Sequence, residues 1–171
     1  MEKELIIAGQ DIKQRVQELG REISAEAIPN LLVVAILKGA FIFAADLVRA
    51  LSIPLEVDFI RVASYGANTC SSGEIRLSKD LETSVVGKNV LLVEDIVDTG
   101  QTIAWLKEHL RGRGAASIRT CTLIDKRERR VKEVEIDYYG FQLQKGFLVG
   151  YGLDYAEQYR HLPDIYDLKG C

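Results

Sequence analysis

At 171 residues, 47% of them apolar, the chain has the length and composition of one globular domain that can bury a core. Its 22 basic and 25 acidic residues leave a net charge of −3, which offers nucleic acid no basic field. No apolar run is long enough for a bilayer, the opening Met1-Glu2-Lys3-Glu4 lacks a secretion signal, and Cys70, Cys121 and Cys171 are too scattered for a disulfide framework or a zinc site; a cytoplasmic protein with reduced thiols is expected.

Ile12, Val16, Leu19 and Ile23 recur at helical spacing and predict an amphipathic helix over about 10–26, broken by Pro29-Asn30. Residues 31–37 are continuously apolar, the mark of a buried strand, and Lys38-Gly39 turns the chain into an apolar-faced helix over 41–51. A third strand is expected over 55–63, more exposed because it carries Glu56, Asp58 and Arg61. From Ser64 to Gly73 the chain is small and polar, with a short strand at 75–77 and irregular structure on toward Lys88; so long a stretch inside a compact domain is either disordered or a lid.

Val90-Leu91-Leu92-Val93 is another buried strand, with Glu94 and Asp95 where it should end. Ile96-Val97 then leads to Asp98, and Thr99-Gly100-Gln101-Thr102 opens a helix over 102–111 that carries Ile103, Leu106 and Leu110. Strands follow at 117–124, 134–141 and 147–149. Helices after strands at this rhythm predict an α/β fold with a central, mainly parallel sheet flanked by helices. Ligands of such sheets sit beyond the carboxyl ends of the strands, where Lys38-Gly39, Ser64-Tyr65, 94–102 and Asp125-Lys126-Arg127 all gather.

The segment 94–102 has the chemistry to hold a sugar phosphate. Backbone amides at a helix N-terminus face the phosphate, and carboxylates face hydroxyls or a metal. A plain helix cap would also use Asp98 and Thr99, but it would not need the two acids before them. Adjacent carboxylates at the edge of a buried strand repel one another and favour a cation or hydroxyl partner. His109 and His161 are far apart in sequence and, with the scattered cysteines, give no metal-centred or cysteine–histidine chemistry. Trp105 reads as packing or an oligomer contact, and the basic run from Lys126 to Lys132 as the flank of an anionic site or a solvated loop.

The run Val90 to Thr102 resembles the phosphoribosyl-pyrophosphate motif of the type I phosphoribosyltransferases. Leu37-Lys38-Gly39, Ser64-Tyr65-Gly66, Leu81, Gly87-Lys88, Lys126 and the tail GFLVGYGLDYAEQYRHLPDIY extend the likeness over about 5–168. Together they are similar to the hypoxanthine-guanine phosphoribosyltransferases, especially the short bacterial form. The resemblance implies the type I phosphoribosyltransferase fold, with a small hood from about 1–10 and 140–171 and a flexible lid over about 64–79. It implies transfer of the 5-phosphoribosyl group from phosphoribosyl pyrophosphate to a 6-oxopurine, with Mg2+ as cofactor, no nucleic-acid or membrane partner, and a homodimer or homotetramer.

By the same resemblance Asp98 is the general base at purine N7, and Glu94, Asp95, Asp98, Thr99, Gly100, Gln101 and Thr102 bind the ribose phosphate. Leu37, Lys38, Gly39 and Arg160 clamp pyrophosphate, and Ser64 and Tyr65 close the lid. Lys126, Phe147, Leu148 and Asp154 meet the purine; Glu94, Asp95 and Asp154 attend the metal. Each has a plainer reading: Lys126 as a surface lysine, Phe147 as core packing, Tyr65 as an exposed loop residue. Ala40 stands where some relatives have a second glycine. Two rivals stay open. An RNA-binding attenuation regulator of the same fold would show a basic face, and a xanthine- or guanine-preferring enzyme would differ only near purine C2. A nicotinamide or P-loop protein would need a glycine fingerprint that this chain lacks.

Overall fold

The structure, a computed structural model, describes residues 1–65 and 74–170. Its main sheet has six strands in the order β4-β3-β2-β5-β6-β7: β2 (Leu31–Ile36), β3 (Leu55–Tyr65), β4 (Glu74–Lys79), β5 (Asn89–Val97), β6 (Ser117–Lys126) and β7 (Tyr138–Leu143). Neighbours are parallel except for β4, which returns antiparallel along β3. Every residue of β2 is buried, because both faces of the sheet are covered.

Alternation along the strands divides the core. Leu31, Val33 and Ala35 pack with Ile12, Val16 and Leu19 of α1 (Gly9–Ala25) and with Phe43 and Leu47 of α2 (Phe41–Ala50). Leu32, Val34 and Ile36 face the other way, toward Ile103, Leu106 and Leu110 of α3 (Gln101–Gly112). Trp105 is partly buried against this second core and stacks on His109 at 4.8 Å, so packing accounts for both rings.

A second, three-stranded antiparallel sheet forms the hood from the two ends of the chain: β1 (Glu2–Ile7), β9 (Ile165–Lys169) and β8 (Leu148–Val149). No strand pattern marks β1 or β9 in the sequence. Five of the six β1 residues are exposed, so no hydrophobic alternation marks it.

Other boundaries move. β5 does not end at Val93 but continues through Glu94 and Asp95 to Val97, because β6 extends beside it as far as Asp125. The short strand expected at 75–77 is the six-residue β4, registered on β3 from Arg61 to Tyr65. Residues 134–137 precede β7 instead of starting it. Chain connections run outward from β2 to β3 on one side and from β5 through β6 to β7 on the other. The order therefore reverses between β2 and β5, and a crevice opens beyond their carboxyl ends.

Candidate active site

Two turns meet at that crevice. After β2 comes Leu37-Lys38-Gly39, with a cis peptide between Leu37 and Lys38. After β5 comes Asp98-Thr99-Gly100, leading into α3. Gly39 lies so close to β5 that a Cβ there would stand 1.9 Å from Asp95 Oδ2. From the other side Gly152 packs on Gly39, where an added Cβ would stand 2.3 Å from the Gly39 carbonyl. Close approach at Gly39, to the Asp95 side chain of the central strand and to the backbone of Gly152 in the hood loop, thus brings the three segments together.

Glu94 and Asp95 are buried and lie within β5, not beyond its end. Burial, reinforced by the Asp95 charge, pushes the Glu94 carboxyl well above the usual carboxylate range. Asp95 is raised by burial as well, opposed by hydrogen bonds including that from the Ile96 N–H at 2.9 Å. Glu94 lines a small cavity of about 120 Å³ together with Asp98, Thr99, Gly100 and Thr102. Asp95 lines a second, of about 430 Å³, with Asp98, Lys126, Phe147, Leu148 and Asp154. The pair therefore spans both spaces, and Asp98 borders each.

The 98–102 turn is the predicted phosphate cradle. Gly100 has φ +81°, a left-handed conformation that favours glycine, and a Cβ there would stand 2.3 Å from the Lys132 carbonyl oxygen. The Thr99 hydroxyl accepts from the Gln101 N–H at 3.3 Å, and Gln101 begins α3, whose amides open toward the turn.

In the larger cavity Lys126 is buried at the end of β6, not a surface lysine. Its Nζ lies 3.9 Å from Asp98 Oδ2 and 3.6 Å from Glu128 Oε2. Asp98 Oδ1 is buried and has no hydrogen-bond partner among the described residues. Phe147 is 40% exposed and meets Tyr155 edge to face at 5.4 Å, so its ring is not core packing. Leu148 is buried in β8 beside it.

Arg160, Lys38 and the hood loop make a third cluster. Lys38 Nζ binds Glu157 at 2.9 Å; Arg160 binds Asp154 at 3.2 Å, Glu157 at 3.3 Å and the Gly152 carbonyl at 2.6 Å. With Leu37 and Phe41 these residues line a cavity of about 360 Å³. Asp154 thus joins the purine side to this charged side. Ser64 and Tyr65 end β3, and the lid residues 66–73 lie outside the described residues. A larger cavity of about 540 Å³ lies between α1, α2 and Leu162-Pro163, and it contains none of the predicted site residues.

Three residues carry the site without a role assigned to them from sequence. Asp125 and Arg130 form a buried ion pair at 2.5 Å behind Asp98 and Lys126, and Glu157 occupies both cations of the charged cluster. Arg130 was visible only as one charge in a basic run, and its burial follows from a loop that folds back. Glu157 could have been suspected from its place three residues before Arg160.

This geometry has relatives. The family model described as a phosphoribosyl transferase domain matches residues 4–156. The chain belongs to the phosphoribosyltransferase family. The hypoxanthine-guanine phosphoribosyltransferase of Bacillus subtilis is 45% identical over 168 residues, covering 98% of this chain and 93% of that protein. That of Dictyostelium discoideum is 46% identical over 174 residues, covering 99% and 97%. A solved hypoxanthine phosphoribosyltransferase structure from Staphylococcus aureus superposes with a TM-score of 0.92 at 40% identity, covering 97% of this chain and 91% of that one. The expected phosphoribosyltransferase fold, with its hood and parallel sheet, is therefore the fold observed.

Proposed function

We propose that this chain transfers the 5-phosphoribosyl group of phosphoribosyl pyrophosphate to hypoxanthine, and also to guanine, yielding IMP or GMP and pyrophosphate in purine salvage. The observation that carries this reading is the 430 Å³ cavity, which gathers a buried lysine, a carboxylate with a free buried oxygen and an exposed aromatic ring beside the 98–102 turn. Relatives named hypoxanthine-guanine phosphoribosyltransferase support the class of base.

In this reading the amides and hydroxyls of Thr99, Gly100, Gln101 and Thr102 take the 5′-phosphate, and Glu94 and Asp95 meet the ribose hydroxyls. As the bond from the anomeric carbon to pyrophosphate breaks, positive charge grows on the ribose, and the carboxylates along that wall favour it. A purine nitrogen forms the new bond, and Asp98 accepts or shares the proton at N7. Lys126 donates to the 6-oxo group. Adenine carries a donor at that position and would leave the buried lysine facing another N–H. Phe147 stacks on the purine, and the Leu148 backbone reads its edge. Leu37, Lys38, Gly39 and Arg160 hold the pyrophosphate, and Ser64 and Tyr65 close over it to exclude water.

The donor set fits Mg2+. Among the described residues no three His, Cys, Asp or Glu side chains gather into a protein-only cage. Glu94, Asp95 and Asp154 instead offer hard carboxylates, of which one or two suffice for an ion that keeps its waters and substrate oxygens. Magnesium bound there would neutralise the departing pyrophosphate.

We read residues 1–171 as one domain, with the hood from about 1–10 and 140–171 and the lid over about 64–79. No helix among the described residues is long and apolar enough to cross a membrane, which agrees with a cytoplasmic enzyme. Exposed Phe41, Val57 and Phe59 support assembly as a homodimer or homotetramer, and light scattering from a monomer at working concentration would remove that part.

The deciding assay supplies phosphoribosyl pyrophosphate and magnesium with hypoxanthine, guanine, xanthine, adenine or uracil in separate reactions. IMP with GMP is expected. XMP in excess of both would change the base assignment, and no product from any base would overturn the reading in favour of a binding protein.

A further inference from the structure

We propose that Arg130 is a positioning residue that aims the phosphate-binding amides of the 98–100 turn and fixes Asp98 relative to Lys126. The inference rests on the functional reading above. Arg130 is nearly inaccessible, with 5% of its side chain exposed, and its guanidinium reaches both strand ends that bear the reacting groups. Nε donates to the Asp98 carbonyl at 2.9 Å, and Nη2 lies 3.3 Å from the Val97 carbonyl. Nη2 also binds Asp125 Oδ1 at 2.5 Å and the Lys126 carbonyl at 3.2 Å. One planar fork therefore ties the backbone of Asp98 to the backbone of Lys126.

The consequence for the turn follows from peptide planarity. In a trans peptide the C=O and the next residue's N–H point in opposite directions. Drawing the Val97 and Asp98 carbonyls toward Arg130 aims the N–H groups of Asp98 and Thr99 away from it. The next peptide is held the same way: the Thr99 carbonyl accepts from the N–H groups of Val131 and Lys132, both at 2.9 Å, which turns the Gly100 N–H outward. The side of the turn facing segment 130–132 is filled, with Arg130 Cδ 3.2 Å and the Lys132 carbonyl 2.3 Å from where a Gly100 Cβ would stand. The small cavity lined by Asp98, Thr99, Gly100 and Thr102 has none of 130–132 in its wall. Successive amides are thus presented to the cavity by hydrogen bonds made on its far side.

Asp125 is the anchor of this device. It is 1% exposed and also accepts from Arg127 Nε at 3.2 Å and Gln142 Nε2 at 3.3 Å. Removing Arg130 outright would strand that carboxylate in the interior and threaten folding. Arg130→Lys keeps the charge but loses the fork, and is the sharper variant. Arg130→Met with Asp125→Asn removes both charges together and checks the same point without a stranded acid.

The test measures ribose 5-phosphate binding by calorimetry, thermal stability, and steady-state constants for both substrates. The expected result for Arg130→Lys is affinity for ribose 5-phosphate weakened by about tenfold or more, with a matching rise in KM for phosphoribosyl pyrophosphate. The KM for the purine should change by less than about twofold, because the Lys126 side chain and the hood still hold the base, while kcat should fall as Asp98 loses its fixed place relative to Lys126. The double variant should repeat that pattern. Wild-type binding in either variant would overturn the proposal, as would a uniform loss that tracks only the fall in Tm. If the wild-type protein itself fails to bind ribose 5-phosphate, the functional reading falls instead.

Discussion

The turn after β5 and the charged cluster around Arg160 would both receive anionic parts of one substrate, yet they are built on opposite principles. The first is a single contiguous segment, 94–102, lying on a largely buried strand and shaped by backbone hydrogen bonds and glycine geometry. The second joins residues more than a hundred positions apart, and its cations already hold acids: Lys38 holds Glu157, and Arg160 holds Asp154 and Glu157. A backbone cradle is ready before its ligand arrives, whereas a side-chain cluster that neutralises itself must exchange partners to bind. The cradle should therefore bind and orient with little rearrangement, and the cluster should set how easily pyrophosphate enters and leaves.

Substitutions in the cradle should carry the larger effects. Asp98→Asn keeps the shape of the turn and removes the carboxylate that can take up a proton, whose Oδ1 is buried and unpartnered among the described residues. Turnover is expected to fall by about a hundredfold or more, with a much smaller change in KM for phosphoribosyl pyrophosphate. An equal loss in both constants would make Asp98 a binding group like its neighbours. Gly100→Ala comes next. Its Cβ would press on the Lys132 carbonyl at 2.3 Å from a left-handed backbone, so stability should drop by about 1–3 kcal/mol and KM for phosphoribosyl pyrophosphate should rise. Chemical denaturation with initial-rate kinetics reads both, and an unchanged KM would mean that the turn is not preorganised.

The same contrast governs what could be read from the sequence. The cradle was legible because it is local: strand, acids, turn and helix occupy consecutive positions, and each states its role through residue type. Its depth was not legible. The end of β5 was placed at Val93 because charges normally stop a buried strand, and the pairing partner that carries β5 on to Val97 lies in β6. The cluster was half legible. The resemblance supplied Lys38 and Arg160, but the opposing Glu157 emerges only when the hood folds over the first turn. Lys126 illustrates the limit most directly. In sequence it is one cation in a hydrophilic loop, while in the fold it ends a buried strand with 6% exposure. The hood strands β1 and β9 were missed because pairing, not hydrophobic pattern, makes them strands.

Glu94 sharpens the comparison through its pH dependence. Its folded pKa is raised by burial above the ordinary value of 4.5, so the folded state holds a proton that the unfolded chain releases first. The stability from that proton is complete below the unfolded value and is lost as pH climbs through the raised one. Wild-type Tm should therefore fall with rising pH across that window, and Glu94→Gln should flatten the slope and raise Tm at neutral pH by about 2–4 °C. Weaker substrate binding should accompany the gain, as expected where a carboxylate is kept for function. A substitution that leaves the slope unchanged would locate the pH dependence elsewhere.

The smallest expected effect belongs to the cluster. Glu157 is 62% exposed in its side chain, and hydrogen bonding from Lys38 is the leading cause that holds its carboxyl below the ordinary range. An ion pair this open contributes little to stability, so Glu157→Gln should leave Tm within about a degree of wild type. The substitution frees Lys38 and relieves Arg160 of one of its two acids, because Asp154 still holds Arg160 at 3.2 Å. Pyrophosphate inhibition should then tighten by about two- to threefold at low salt, and the gain should vanish as ionic strength rises and screens the exposed charges. Product-inhibition constants measured at two salt concentrations decide it. Tightening at both would mean that the cluster is drier than its exposure implies; no tightening at either would mean that Glu157 positions the two cations instead of competing for them, and the cluster would then be as preorganised as the cradle.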